Sequence, residues 1–179
     1  MKTRQPGWHW LLPAATALVA APAAATTYFT LAQAQQKLCP GQALSPVPLT
    51  LTPEQAKAVQ QASGVRVRER ALKVWRAADG SWFYLDQVLG KHEMITYALA
   101  LDAAGAVRGL EILDYRETYG DAVRNPKWRE QFTGKRNGAP LKLDRDIVNL
   151  SGATLSSAHI TDGVRRLLAT HALVVAPHG

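Results

Sequence analysis

The segment Ser151-Gly152-Ala153-Thr154-Leu155-Ser156-Ser157 gathers small and hydroxyl residues directly ahead of an amphipathic run. Small residues let the backbone approach a bulky group, and Thr154 offers a hydroxyl. A helix start just beyond would add unpaired N–H groups with a partial positive charge, the electrostatics of a phosphate site. A plainer reading stands beside it, in which Gly152 makes a turn and Ser156 or Ser157 caps the helix. Two further stretches carry reactive side chains. Tyr115-Arg116-Glu117-Thr118-Tyr119-Gly120 closes an apolar run, and Trp128-Arg129-Glu130-Gln131-Phe132-Thr133-Gly134 follows it. Gly90-Lys91-His92-Glu93 adds a charged cluster.

Other chemistries fail on spacing. His92-Glu93 would need histidine at position 96 to make a zinc-protease H-E-x-x-H pair, and Thr96 stands there. There is no G-x-S-x-G or S-x-x-K nucleophile motif, no Walker A loop and no G-x-G-x-x-G turn. The single cysteine, Cys39, excludes an internal disulfide and a C-x-x-C-H haem site. His159, His171 and His178 are scattered, a pattern more typical of surface or core residues than of metal ligands. The formal charge is +7, but its Lys and Arg residues are dispersed and do not alternate with aromatics, so no nucleic-acid partner is expected.

The elements that must position these residues follow from patterning in a chain of 179 residues, 47% hydrophobic and 20% charged, ordinary for one globular domain. Lys2 and Arg4 precede the apolar stretch Trp10 to Ala25, which has the form of an export signal and is shorter than a spanning helix needs. Cleavage is expected after Ala25, with Ala32-Gln33-Ala34 a second candidate and an uncleaved anchor the alternative. Thr30 should cap a helix over Leu31–Leu38. Residues 40 to 53, with Pro40, Pro46, Pro48 and Pro53, read as an extended connector. Thr52 and Pro53 open a helix that stops at Gly64.

A β region is expected from Val65. Strands near Ala71–Ala77 and Trp82–Val88 flank the turn Asp79-Gly80, and strands Ile95–Leu101 and Val107–Tyr115 flank Asp102 to Gly105. Asn125 and Pro126 start a short helix reaching Phe132. A final strand or extended piece, Ile147–Leu150, leads to a helix from about Ala158 to Thr170, with Ile160, Val164, Leu167 and Leu168 on one face. Strands followed by helices predict an α+β fold: an antiparallel sheet packed with helices. The expected organisation is a signal or anchor over 1–25, a helical and proline-rich segment over 26–64, and a cofactor-binding domain over 65–179.

Ser-Gly-Ala-Thr-x-Ser, at Ser151 to Ser156, resembles the flavinylation motif of the FMN-binding domain family. That family includes subunits of the sodium-translocating NADH:quinone reductase and of the Rnf ferredoxin–NAD reductase complex. Its Glu-Thr-Pro-Gly and Gln-Phe-x-Gly segments are similar to Glu117-Thr118-Tyr119-Gly120 and Gln131-Phe132-Thr133-Gly134. The resemblance spans roughly residues 80–170 and implies that Thr154 carries FMN through a phosphoester, attached after export by an FAD-dependent flavin transferase. It further implies that Ser151, Gly152, Ala153, Leu155 and Ser156 form the cofactor turn, and that Glu117 and Thr118 line the flavin cavity. Two positions depart from the family pattern. Val148 stands where many members have an aspartate, with Asp146 and Asp144 the nearest acids, and Tyr119 replaces the proline.

The implied protein is an exported, periplasmic, phosphoester-bearing flavoprotein. It would relay electrons with a membrane redox partner as donor or acceptor, rather than act as a stand-alone enzyme. Lys91 or His92 is a candidate counter-charge to reduced flavin, with a solvated turn the plainer reading, and Trp128 is a candidate for ring stacking or for the core. Two rival functions stay open: a small flavin reductase acting on ferric chelates or quinone, and a flavin-free binding or assembly protein that kept the fold.

Overall fold

Met94–Leu101 reads Met-Ile-Thr-Tyr-Ala-Leu-Ala-Leu, apolar on both phases of the strand alternation, as a strand covered on both faces requires. In the computed structural model, which describes residues 26–117 and 121–178, it lies inside a fully antiparallel sheet. The elements are β1 (Thr26–Thr27), α1 (Leu31–Leu38), β2 (Leu44–Thr50), α2 (Pro53–Ser63), β3 (Ala71–Ala77), β4 (Trp82–Leu89), β5 (Met94–Leu101) and β6 (Val107–Tyr115). After them come a 3₁₀ turn (Asp121–Arg124), α3 (Pro126–Glu130), α4 (Thr154–Thr170) and a π-helical turn (His171–Val175). Strand order is β1-β6-β5-β4-β3-β2. The signal or anchor over 1–25 and the corner Thr118-Tyr119-Gly120 lie outside the described residues. Among the described residues no helix is long and apolar enough to cross a membrane.

Tight turns set the hairpins. Gly80 and Gly105 adopt φ of 80° and 76°, the left-handed region that glycine reaches without strain. One face of the sheet, with Tyr84, Tyr97, Leu99 and Ile112, packs on Ile160, Val164, Leu167 and Leu168 of α4. The opposite face, with Phe83, Ala98, Ala100 and Leu113, is covered by α1 through Ala34. Thr30 and Gln33 close a capping box on α1, and Thr52 and Gln55 do the same on α2. Gly163 lets α4 approach the sheet, since a Cβ there would meet the Tyr97 hydroxyl and Val88. That phenol is buried but satisfied, donating to Asp86 Oδ2 at 2.5 Å while Arg166 reaches the same oxygen at 2.6 Å.

Four local expectations need correction. The proline-rich connector contains a strand, β2, paired with β3 from Leu44↔Ala77 to Thr50↔Ala71. Pro46 and Pro48 share one phase of its alternation, a placement that suits the outer side of an edge strand, where no donor is needed. Residues 65–70 are not a strand. Val65 and Val67 do turn inward while Arg66 and Arg68 stay exposed, but the ladder ends where α2 begins and leaves no partner strand. Residues 147–150 form no strand; Ile147 makes one isolated parallel bridge to Leu143. The last helix starts at Thr154, a turn before Ala158. Ala153, Ser156, Ser157, Ile160 and Thr161 are all buried, so the apolar stripe continues through hydroxyl residues that look polar in sequence. Ser157 and Thr161 bond the carbonyls one turn back, Ala153 O and Ser157 O, which makes their burial tolerable.

His171, where α4 passes into the π-helical turn, is buried against Trp82 and Tyr84, its Nδ1 2.8 Å from the Tyr84 hydroxyl. Burial holds its pKa below the ordinary histidine value, and Asp102 only partly counters this. The folded state therefore favours neutral imidazole. Above about pH 6.5 both states are neutral and nothing is lost. As pH falls through that value toward the lower folded one, the unfolded chain binds the proton first and stability drops. Urea midpoints measured from pH 8 to pH 5 should fall in the wild type and fall less in His171→Gln; equal slopes would remove His171 from the acid sensitivity.

Candidate functional site

Thr154 is the first residue of α4, and its side chain is exposed. The preceding Ala153 takes the cap position with φ −129° and ψ 24°, and no side chain bonds the free N–H groups there. No acidic residue lies in the first turn either. The plainer expectation that Ser156 or Ser157 caps the helix is therefore wrong. Both lie inside it, with Ser157 Oγ 3.0 Å from each of Asn149 Oδ1, Ala153 O and Thr154 O. A helix N-terminus left without cap or acid keeps its positive end for an external anion. Gly152, at φ +79° with open space around its Cα, makes the turn into it.

Two neighbouring elements, β6 and α3, fix this turn and the segment that enters it. Tyr115, at the end of β6, places its hydroxyl 3.2 Å from Ser156 Oγ. Helix α3, capped by Asn125 as expected, holds the approaching segment at Val148. Trp128 Nε1 donates to Val148 O at 2.7 Å, and Val148 N donates to Gln131 Oε1 at 2.8 Å. With both backbone groups of Val148 engaged, its side chain is left 63% exposed. The nearby Asp146 is turned back to accept from Lys142 N at 3.1 Å. Trp128 is 3% exposed and edge-on to Phe132, so of its two readings the structure selects the core.

Glu117 acts on the tip of the β4–β5 hairpin. Its Oε1 accepts from His92 N at 2.6 Å and Glu93 N at 3.0 Å. Desolvation pushes its carboxyl upward, but the backbone donors of Glu93, His92 and Lys91 outweigh it and hold it below the ordinary carboxylate range. Lys91 and His92 themselves are exposed. From α4, the His159 ring reaches the Leu89 carbonyl at the base of the same tip.

The structure thus brings Ser151, Gly152, Ala153, Thr154, Leu155 and Ser156 into one helix start beside the end of β6. Ser151 is exposed, Leu155 is 46% exposed, and Ala153 and Ser156 are buried. Glu117 follows Tyr115 by two residues and is committed to the hairpin, and Thr118 lies outside the described residues. Sequence reasoning missed the roles of His159, Gln131 and Asn149. Gln131 sat within a motif already noticed, but His159 carried no spacing signal, because its partner is a backbone carbonyl 70 positions away.

Residues 90–169 match the family model described as the FMN-binding domain. Among solved structures, the chain is similar to NqrC of Shewanella oneidensis, with 17% identity, coverage of 70% of this chain and 69% of that chain, and a TM-score of 0.46. No curated protein matches the chain in sequence.

Proposed function

We propose, from the match of residues 90–169 to the FMN-binding domain model, that the chain is an exported flavoprotein. It holds FMN through a phosphoester on Thr154 and relays electrons for a membrane-associated redox system. One observation carries the reading: an exposed threonine hydroxyl opens a helix whose N-terminus has neither cap nor acid. The residues suit the group. A phosphodiester on Thr154 would keep one negative charge, and the free N–H groups of the first turn of α4 would face it.

Attachment by a flavin transferase would form one P–O bond to the Thr154 oxygen and break the pyrophosphate of FAD, with AMP as the leaving group and the hydroxyl proton passing to solvent. The bound group supplies one- and two-electron transfer, while the protein tunes it through contacts and nearby charge. Ser156 and Ser157 hold the helix start to Tyr115 and Asn149, and Gln131 and Trp128 hold the segment that feeds it. A tether of this kind prevents loss of cofactor from an open compartment such as the periplasm.

A relay needs no proton-transfer pair aimed at a substrate, and Glu117, just beyond the end of β6, is taken up by backbone donors. The loaded protein should accept electrons from a chemical reductant once per flavin and pass them to an acceptor stoichiometrically. It should show no sustained turnover when ferric chelates or a quinone are supplied with a pyridine nucleotide. Steady-state turnover that saturates with such an acceptor would make the chain a reductase instead.

A further inference from the structure

We infer that Glu117 and His159 are positioning residues that fix the tip of the β4–β5 hairpin, Gly90–Glu93, as one wall of the flavin site. The inference rests on the reading that flavin is held at Thr154. The tip is gripped from two elements that are far apart in sequence. From the end of β6, Glu117 Oε1 takes the N–H groups of His92 and Glu93. From α4, the imidazole Nδ1 of His159 bonds the carbonyl of Leu89, the last residue of β4.

Both grips come from elements that also build the cofactor turn. Glu117 lies two residues beyond Tyr115, whose hydroxyl meets Ser156. His159 lies five positions after Thr154 on the same helix, about 7.5 Å along its axis. Gly90 shows how close the carboxylate comes. A Cβ there would sit 2.6 Å from Glu117 Oε1 and 3.1 Å from Glu93 O, so any other residue would have to displace the carboxylate. The turn itself closes through Gly90 N to Glu93 O at 2.7 Å.

The chemistry follows from the donors. Glu117 is ionised at neutral pH, because three backbone N–H groups favour its charged form. Its charge faces those amides, and the exposed Lys91 and His92 side chains are carried on a tip with a fixed position. A fixed tip presents a constant electrostatic environment to a ring bound beside it, whereas a loose tip presents an average. A carboxylate and an imidazole that hydrogen-bond to the backbone of the tip therefore act on the flavin through the hairpin.

The test uses the full chain, as apoprotein and after maturation, with Glu117→Ala, Glu117→Gln, His159→Ala and His159→Asn. Asparagine places a side-chain N–H near the position of the imidazole Nδ1, and glutamine keeps an acceptor oxygen. In the apoprotein, amide exchange at His92 and Glu93 should rise by about tenfold or more in Glu117→Ala, with no change in the α4 core. In the matured protein, visible circular dichroism and the midpoint potential, both read per loaded flavin, should shift in the two alanine variants and return toward wild type in His159→Asn and Glu117→Gln. Wild-type exchange and wild-type spectra in the alanine variants would overturn the inference. If an alanine variant fails to fold, the glutamine and asparagine variants are compared with wild type on the same two readouts, and altered spectra in both would count against it. A wild type with no flavin on Thr154 would instead remove the reading on which the inference rests, even where the exchange result agreed.

Discussion

Thr154→Ala should abolish covalently bound FMN and leave the fold intact. Thr154 is the first residue of α4 and its side chain is exposed, so truncation removes a reactive oxygen and little packing. A change within about 0.5 kcal/mol in stability is expected for such a surface position. The other hydroxyls of the turn are poor substitutes. Ser156 Oγ is buried against the Tyr115 hydroxyl, and Ser157 Oγ is buried among Asn149, Ala153 and Thr154. Ser151 alone is also exposed, so Ser151→Ala is the matching control and should keep the flavin. Thr154→Ser, which retains an oxygen at the same place, should keep it too. Denatured protein separated from free flavin and read at visible wavelengths gives the answer. Flavin retained by Thr154→Ala but lost from Ser151→Ala would move the acceptor by one turn.

Arg129→Ala should produce the largest loss of stability, about 3 kcal/mol, and loosen the segment that leads into the site. Arg129 and Glu111 form an ion pair whose side chains are 9% and 3% exposed. Arg129 also donates to Leu110 O at 2.9 Å and Arg124 O at 3.1 Å. Removing it strands a buried carboxylate and two carbonyls, which is why the cost approaches the range for breaking a buried pair. Lys37, 2.6 Å from the other oxygen of Glu111 and half exposed, keeps the loss at the lower end. A double variant, Glu111→Met with Arg129→Met, should recover the part set by the stranded carboxylate, because neither charge of the pair then remains to be desolvated, while the two carbonyls still lack their donor. Urea unfolding of the single and double variants measures both. A double variant no more stable than Arg129→Ala would mean that packing, not the unpaired charge, sets the cost. Because Trp128 and Gln131 on either side hold Val148, flavin loading should also fall in the single variant.

Legibility in the sequence followed the range of the interactions. The hairpins at Gly80 and Gly105 and the helices capped by Thr30, Thr52 and Asn125 rest on contacts a few residues apart, and all were visible. The strands β3 and β6 appeared with their full extents for the same reason. β2 was hidden because proline argues against a strand unless the strand is known to be an edge, and edge position is a property of the whole sheet. The start of α4 was hidden because serine and threonine look like a cap when they are in fact buried and bonded to carbonyls one turn back. At the site, local chemistry marked the Ser151–Ser156 turn as a helix entry with a free hydroxyl, and the family resemblance pointed to it as a cofactor turn. The commitment of Glu117 to the hairpin and the reach of His159 to Leu89 were not, since each pairs a side chain with backbone brought near only by the sheet.

The most direct measurement is the intact mass of mature protein exported from cells that also make a flavin transferase, followed by peptide mapping. An added mass of one FMN less one water, carried on the peptide containing Thr154, is the predicted result. An unmodified mass with a colourless product would contradict it, and the turn at Ser151–Ser156 would then be a helix start in a flavin-free protein of the same fold.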